Sequence, residues 1–271
     1  MQKQLPRQVV LLIWAAIILL PFFMVFFSTF KSISELFQSP LGWPNSWSLE
    51  NYRQLFVKEP MFGYFMNSVI VTAASVGFIL FFSSLISYAI IRMSKKIGYV
   101  VFGFFVIGMM IPTQANMIPI YLLVTKIGLY DTLLGVILVL IAFLIPTGVF
   151  IMTGFMKTLP NGLIESAKVD GANEWQMYSR IVVPLSMPSI ATVSIFSLVI
   201  VWNNLLYPLL LLKSDAVKTL PIALLDFQGQ YLTNYPLIFA GVIVASVPMI
   251  VAYLFLQRYF IAGLTAGSMK G

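Results

Sequence analysis

The sequence predicts an all-α membrane protein with six transmembrane helices, and three observations lead to this class. Hydrophobic residues make up 60% of the chain and charged residues only 9%, whereas roughly 25% of the residues of an ordinary soluble domain are charged. Six separate apolar runs reach the roughly 20 residues that a helix needs to cross a bilayer. A mostly polar segment, residues 157–187, separates the fourth run from the fifth. We call this segment the central loop.

Each predicted span is an apolar run without an ionisable residue deep inside it. The first run follows Lys3 and Arg7 like the apolar part of a signal peptide, but it is too long for one and no small-residue cleavage site follows. We therefore expect it to stay in the membrane. In chain order the predicted spans are residues 9–27, 64–91, 98–124, 133–156, 188–212 and 237–260, followed by a C-terminal tail of residues 261–271.

Lysine and arginine are unevenly distributed between the two sides of the predicted membrane. With the N-terminus on the inner side, ten of them fall inside and six outside, which agrees with the positive-inside rule. Three acidic residues also fall inside, and all of them lie in the central loop: Glu165, Asp170 and Glu174. We therefore predict that both termini and the central loop face the cytoplasm. The net charge of +7 follows from this topology and does not indicate a nucleic-acid partner.

The residues that are missing from the sequence exclude several chemistries. The chain contains neither cysteine nor histidine, which excludes disulfides, thiol nucleophiles and histidine bases. Ion-coupled carriers place ionisable residues deep within their spans, and this sequence has none there. It also has no Gly-rich phosphate loop that would bind ATP. We expect a chain that binds no cofactor, performs no covalent chemistry and depends on another polypeptide for any use of ATP.

Two short helices joined by a sharp turn are predicted within the central loop. Asn161 is placed to cap the first helix. Asp170-Gly171 predicts the turn, because glycine adopts a positive φ without steric cost. Asn173 followed by Gln176 matches a capping box at the start of the second helix. Such a pair of helices outside the membrane is typical of a docking surface for a partner.

A second interpretation of the central loop is an amphipathic helix resting on lipid, since Trp175 lies there among basic residues. The acidic residues and the glycine turn favour the docking surface instead.

The central loop resembles the cytoplasmic "EAA" loop of ATP-binding-cassette (ABC) importer permeases. The pattern of that family is Glu-Ala-Ala, then Gly four residues on, then Ile-x-Leu-Pro. In this sequence Ser166 replaces the first alanine and Val183 replaces the leucine, and both changes in size are small. The matching positions are Glu165, Ala167, Gly171, Ile181 and Pro184.

Other stretches along the chain point to the carbohydrate-uptake branch of this family. The string Val-Asp-Gly-Ala at residues 169–172, followed by Ile-Val-Val-Pro-Leu at residues 181–185, resembles that branch. The last sixteen residues, 256–271, are similar to the end of maltose-transporter-like "G" subunits. Ser48-Leu-Glu-Asn-Tyr, Phe65-Met-Asn-Ser and Trp202-Asn-Asn also fit. The resemblance covers nearly the whole chain in order.

The resemblance implies a complete transport complex around this chain. It implies the type I importer permease fold, a second permease subunit, two ATPase subunits that hold ATP and Mg²⁺, and an extracytoplasmic sugar-binding protein. The substrate would be a carbohydrate, an oligosaccharide in particular, and the location the cytoplasmic membrane of a bacterium or archaeon. A permease for a non-sugar solute and a self-sufficient facilitator or channel remain as alternatives.

The resemblance also implies roles for particular residues of the chain. In the central loop, the resemblance implies contact with the ATPase for Glu165, Ser166, Ala167, Asp170, Gly171, Ala172 and Trp175. In the tail, the matching segment of the "G" subunits inserts between the two ATPase chains, which assigns that role to Gly263, Leu264, Thr265 and Gly267.

Polar residues within two of the predicted spans are candidates for the substrate path. An amide in hydrocarbon without a partner costs several kcal/mol, so Asn203 and Asn204 must face protein or a wet cavity. One interpretation is hydrogen bonding between helices. The other is a pore lining in which these amides bind sugar hydroxyls while Trp202 and Tyr207 stack on sugar faces. Further candidates for the same path are Thr113, Gln114 and Asn116.

Overall fold

The structure of the chain is a computed structural model that describes residues 5–57, 60–227 and 233–268, with side chains for these except residues 5–7, 161 and 256–268. Regular structure within these residues is helical, without a β-strand, which confirms the predicted all-α class. The helices are α1 Leu5–Ser28, α2 Ile33–Gln38, α3 Glu50–Val57, α4 Met61–Arg92, α5 Lys95–Met109, α6 Met117–Lys126, α7 Leu133–Met156, α8 Asn161–Val169, α9 Glu174–Met177, α10 Val183–Leu185, α11 Met187–Trp202, α12 Leu206–Leu211, α13 Leu220–Asp226 and α14 Tyr235–Ser268.

Four of the described helices, α1, α4, α7 and α14, are long and apolar enough to cross a membrane. Two further apolar helix pairs are each bent at a short break, so the described part of the chain has six spans when each bent pair counts as one. The chain is therefore a multi-pass membrane protein.

The third predicted span, residues 98–124, is not one straight helix. Helix α5 ends at Met109, a short 3₁₀-helix occupies Thr113–Asn116, and α6 then leaves at an angle of 89° to α5. Pro112 causes the break, because proline has no N–H to donate and disfavours helical backbone in the residue before it.

The fifth predicted span, residues 188–212, is also interrupted. Helix α11 ends at Trp202 and α12 begins at Leu206. The two asparagines between them bond to the nearby backbone, as this residue type does at helix ends. Asn203 Nδ2 donates to Val199 O over 2.9 Å, and Asn204 Oδ1 accepts from Tyr207 N over 3.1 Å.

The sixth predicted span extends beyond its expected end at residue 260. The backbone of α14 is helical to Ser268, so residues 261–268 of the predicted tail continue the helix. Alanine and leucine between the glycines of this segment favour helix and offset the glycines. The side chains of Leu264 and Thr265, and the exposure of Gly263 and Gly267, lie outside what the structure describes.

The chain divides into two compact units, and the first comprises residues 1–65 and 220–248. Leu55 of α3 is fully buried in this unit. A Cβ added at Gly241 of α14 would lie 3.7 Å from Leu55 Cδ1 and 3.8 Å from Leu224 Cγ. Helices α3, α13 and α14 therefore pack closely around Leu55.

Lys31 organises the loop that follows α1 in the first unit. Its side chain is only 1% exposed. The ammonium donates to Ser39 O over 2.8 Å and to Gly42 O over 2.6 Å. A buried charge is costly without such partners, so the lysine holds these carbonyls in place. Asn51 of α3 adds a further hydrogen bond, in which its Nδ2 donates to Lys31 O over 3.0 Å.

The second unit comprises residues 66–219 and 249–271. Within it, α4 lies close against α7 through small side chains. Ser83 Oγ donates to Ile145 O over 3.4 Å, and Ser87 Oγ donates to Val149 O over 3.3 Å. Small residues let the backbones of membrane helices approach each other, and this contact uses a serine on one helix facing a glycine, Gly148, on the other.

Asp131 connects the loop between α6 and α7 to the segment after α12 in the second unit. Its Oδ1 accepts from Lys213 N over 2.7 Å and from Ser214 N over 2.9 Å, and the Ser214 hydroxyl donates to its Oδ2. Asp131 has a positive φ of 60°, a conformation that aspartate adopts more readily than most residues. Hydrogen bonds from Ser214 and Lys213 lower the pKa of its carboxyl group.

Candidate functional site

The first helix of the central loop, α8, ends in a turn that requires glycine. Gly171 has a φ of +79°. Ala172 N donates to Ala167 O over 2.9 Å, and Gly171 N donates to Lys168 O over 3.1 Å. These two bonds form a Schellman motif, in which the residue with positive φ satisfies the last carbonyls of the helix. The predicted turn at Asp170-Gly171 is confirmed.

The sequence predicted the N-terminal cap of α9 correctly and the N-terminal cap of α8 incorrectly. Asn173 and Gln176 form the predicted capping box: Asn173 Oδ1 accepts from Gln176 N over 2.8 Å, and Gln176 Oε1 accepts from Asn173 N over 2.9 Å. The predicted cap at Asn161 is wrong, because α8 already includes Asn161 and the residue in the cap position is Pro160. Proline pre-sets the backbone there without a side-chain cap.

Glu174, the first residue of α9, binds the C-terminal end of α4. Arg92 Nη2 donates to Glu174 Oε1 over 2.7 Å and Arg92 Nε donates to Glu174 Oε2 over 3.1 Å. The Tyr88 hydroxyl donates to Glu174 Oε2 over 2.6 Å. A bidentate arginine–carboxylate pair fixes orientation as well as distance. The loop is therefore attached to α4 in a defined geometry.

A second contact joins the same two segments one turn further along. Ser84 Oγ and the Tyr178 hydroxyl share a hydrogen bond of 2.7 Å. The rings of Tyr88 and Tyr178 lie 5.4 Å apart between centroids. We call this group the loop anchor; it comprises Ser84, Tyr88 and Arg92 of α4 with Glu174 and Tyr178 of the central loop.

The loop anchor keeps Glu174 ionised. Hydrogen bonds from Arg92 and Tyr88 lower the pKa of Glu174 from its usual 4.5 to about 2. A carboxyl with a lowered pKa in the folded state stabilises that state above its ordinary pKa, and the contribution is lost as the pH falls towards the lowered value. The Arg92–Glu174 ion pair is therefore intact over the whole range from weakly acidic to alkaline pH.

Most of the residues that the resemblance assigns to ATPase contact lie on the surface of the central loop. Glu165, Ser166, Asp170 and Gly171 are exposed, and Ala172 is half-buried. Ala167 is the exception, because its methyl group is buried on the inner side of α8.

Large apolar side chains are exposed on both sides of the Gly171 turn. Val169 is 87% exposed and Trp175 is 62% exposed. Apolar surface of this kind at a protruding turn is typical of an interaction site.

A groove of about 390 Å³ lies beside α8, between the ends of α4 and α7 and the start of α5. Glu165 lines it together with Lys95 and Lys157. Lys157 Nζ also lies 4.6 Å from the centroid of the Phe102 ring. Glu165 thus shares the groove with three cationic side chains, those of Arg92, Lys95 and Lys157.

The predicted substrate-path residues do not form one cluster. Tyr207 is 1% exposed and lines a mostly apolar cleft of about 550 Å³ between α5, α6 and α7. Asn116 also lines this cleft. Trp202 is buried, Asn203 and Gln114 are exposed, and these three residues do not line the cleft. Of the five path residues that the sequence predicts, Asn203, Asn204, Trp202, Tyr207 and Gln114, only Tyr207 lines this cleft.

The loop anchor is the part of the site that sequence reasoning missed. Neither Arg92, Tyr88 nor Ser84 is among the site residues that the sequence predicts. A signal was present, because Ser84, Tyr88 and Arg92 are spaced by four and so share one face of a helix. Their partners in the central loop lie more than eighty residues away in the sequence, which no local pattern reveals.

The described part of the chain contains no group of three or more histidine, cysteine, aspartate or glutamate side chains placed to hold a metal ion. The prediction that the chain binds no cofactor stays a prediction.

Fold and site together define a multi-pass membrane protein with an ordered polar loop that is tied to one of its spans. The chain belongs to the family of binding-protein-dependent transport system inner membrane components, whose model matches residues 79–265. This match confirms the resemblance to ABC importer permeases. It includes the central loop, both bent spans and all three α4 residues of the loop anchor.

Individual proteins are similar to this chain over almost its whole length. It is 35% identical to the putative ABC transporter permease protein ORF2 of Caldicellulosiruptor sp. (strain Rt8B.4), over 96% of this chain and 95% of that protein. It is 32% identical to the multiple sugar-binding transport system permease protein MsmG of Streptococcus mutans, over 97% and 96%. A solved bacterial ABC transporter that imports the acidic polysaccharide alginate contains a chain with the same fold, with a TM-score of 0.81 at 22% identity, covering 95% of this chain and 96% of that one.

Proposed function

We propose that this chain is one permease subunit of an ATP-driven, binding-protein-dependent importer of a carbohydrate, an oligosaccharide in particular. Membership of the family supports the importer class. The similarity to a multiple sugar-binding system and the shared fold with the alginate importer support a carbohydrate. The second permease subunit, the two ATPase subunits and the extracytoplasmic sugar-binding protein follow from the same family membership.

The observation that carries the mechanism is the ordered Gly171 turn with exposed apolar surface on both sides. In the proposed complex an ATPase subunit binds this turn. ATP and Mg²⁺ are held by the ATPase subunits, and ATP binding closes that pair. The central loops move with the ATPase subunits, and the spans change from an inward-open to an outward-open arrangement. This chain contributes positioning and movement, and no covalent step.

The proposed location is the cytoplasmic membrane of a bacterium or archaeon, with the central loop in the cytoplasm. The excess of lysine and arginine on the loop side supports this orientation. Helix α1 buries none of its apolar window within the chain. This surface is available to lipid or to the second permease subunit.

Substrate class is tested with the complex purified from native membranes through a tag on this chain. We expect the copurified ATPase to be stimulated several-fold by a binding protein loaded with an oligosaccharide. A panel of labelled oligosaccharides, monosaccharides, amino acids and phosphate then separates a sugar importer from a permease for another solute. Stimulation by an amino acid or phosphate, without stimulation by any sugar, would contradict the carbohydrate assignment.

The substrate-path residues make a further prediction. We expect Asn203→Ala to weaken solute uptake without lowering complex yield, because its exposed side chain bonds only to Val199 O of its own helix. Tyr207→Phe tests the buried member of the set in the same way. Uptake rates, complex yield and basal ATP hydrolysis are measured together. If yield or thermal stability falls in step with uptake, the side chains hold helices together and do not line the path.

The C-terminal segment gives another prediction. We propose that residues 263–267 contact the ATPase pair, and we expect removal of residues 264–271 to lower ATPase stimulation and to loosen complex assembly. Insertion of this chain into the membrane is expected to stay normal, since all the predicted spans end before residue 264. A truncated chain that assembles and transports like the full one would show that this segment has no role.

A further inference from the structure

The backbone that connects the central loop to the next span, α11, does not form one continuous α-helix. Helix α9 continues into a π-helical segment, Tyr178–Val182, and then into α10, which contains Pro184. The helical run from Glu174 to Leu185 then meets α11 at a bend of 73° around Ser186. A proline and a change of helix type both remove regular backbone hydrogen bonds. A displacement of α9 therefore reaches α11 only through a bent and irregular segment.

The noncovalent connection to α4 has no such interruption. Arg92 holds both carboxylate oxygens of Glu174, Tyr88 holds one of them as well, and Ser84 bonds to Tyr178. Three hydrogen bonds to Glu174 and one to Tyr178, from three successive turns of one helix face, fix α9 and the start of the π-helical segment against α4.

We propose that Arg92 and Tyr88 are positioning residues that transmit the movement of the central loop to α4. This inference rests on the proposed function, because it names the route by which a loop moved by an ATPase subunit acts on the spans. The loop anchor is the first step of that route.

The second step of the route is the contact between α4 and α7. Ser83 and Ser87 of α4 donate to backbone carbonyls of α7 and directly precede the anchor residues Ser84 and Tyr88. Ser83 also lies against Gly148, where no space remains between the two helices. Closely packed helices move together, because a packed interface resists continuous deformation. Helix α7 in turn carries Phe143, whose ring lies 6.0 Å from the Tyr207 ring at the cleft.

The test measures solute transported per ATP hydrolysed by the purified complex in proteoliposomes. We expect Arg92→Glu and Glu174→Arg each to lower this ratio at least about five-fold, within the range of ordinary coupling between sites. The double variant Arg92→Glu/Glu174→Arg restores opposite charges at the same two positions. We expect it to recover most of the ratio.

An alanine cycle provides a second measurement that does not depend on the swapped geometry. If Arg92 and Glu174 contribute only through their shared interaction, the ratio of solute transported to ATP hydrolysed is no lower for the double variant Arg92→Ala/Glu174→Ala than for either single variant. Additive losses would overturn the inference, and so would a loss of complex yield with an unchanged ratio.

Lys96→Glu is the matched control. Lys96 is an exposed cation on α5, and this substitution changes the charge by the same amount as Arg92→Glu. We expect it to leave the ratio unchanged.

Two failures can be told apart with the Gly171→Val variant. If Arg92→Glu transports normally while Gly171→Val does not, the anchor is not the route but the loop still couples. If both transport normally, the proposed function of the loop is wrong as well.

Discussion

Replacing Gly171 with valine is expected to abolish transport while the complex still assembles. Gly171 has a φ of +79°, a region in which a β-branched residue is a genuine outlier. The left-handed conformation costs an ordinary residue about 1–2 kcal/mol, so the turn will change rather than keep its shape. The two Schellman bonds, from Ala172 and Gly171 to the end of α8, are then lost. We expect less than about a tenth of the wild-type uptake and no stimulation of ATP hydrolysis by the binding protein.

Two control variants separate the backbone effect from the effect of adding a side chain. No atom lies within 4 Å of a Cβ built at Gly171, so Gly171→Asn fits sterically, and asparagine adopts positive φ more readily than most residues. We expect Gly171→Asn to keep most of the uptake. Gly162→Ala adds a methyl group in equally open space on α8 and should behave like the wild type. Normal uptake by Gly171→Val would refute the role of the turn.

Replacing Gly148 with valine is expected to give the largest loss of stability. A Cβ at this position would lie 2.8 Å from Ser83 Cβ and closer still to Ser83 Oγ. Helices α4 and α7 would have to separate, and the hydrogen bonds that Ser83 and Ser87 make to α7 would lengthen or break. Overpacking of this kind typically costs about 1–3 kcal/mol. We expect lower complex yield and a lower midpoint of thermal unfolding in detergent.

Gly154 supplies the matched control for this prediction. It lies on the same helix, and no atom lies within 4 Å of a Cβ built there. Gly154→Val should therefore unfold close to the wild-type temperature. The milder change Gly148→Ala should be rescued by Ser83→Gly, which removes the clashing atoms. Equal unfolding midpoints for Gly148→Val and Gly154→Val would show that α4 and α7 are not in tight contact.

Local signals predicted much of the fold and part of the site. The Gly171 turn and the capping box of Asn173 and Gln176 depend on a few adjacent residues, so both could be predicted from the sequence alone. Span identity follows from composition over about 20 residues, and α7 has the predicted bounds of residues 133–156.

The bend between α5 and α6 was harder to predict because membrane helices tolerate many prolines. Pro146 lies inside the continuous helix α7, whereas α5 has ended before Pro112 is reached. The difference depends on how the freed backbone groups are satisfied by neighbours, which the sequence alone does not state. The same holds for Asn203 and Asn204, whose amides bond to their own backbone at a helix break.

The loop anchor could not be predicted because its two halves are distant in sequence. The sequence identifies Glu174 only as an acidic residue of the central loop, and its bidentate partner Arg92 lies 82 residues earlier. A buried charge can also be missed, as Lys31 shows: no local pattern marks this lysine as buried, yet carbonyls of its own loop enclose its ammonium.

The central claim is that this chain transports solute only when ATPase subunits move its central loop. The most direct measurement is solute uptake into proteoliposomes, with the purified complex compared with this chain alone. We expect uptake that requires both binding protein on one side and ATP on the side of the central loop, and no flux through the chain alone. Equal flux without ATP, or flux through this chain alone, would show a self-sufficient facilitator and contradict the account.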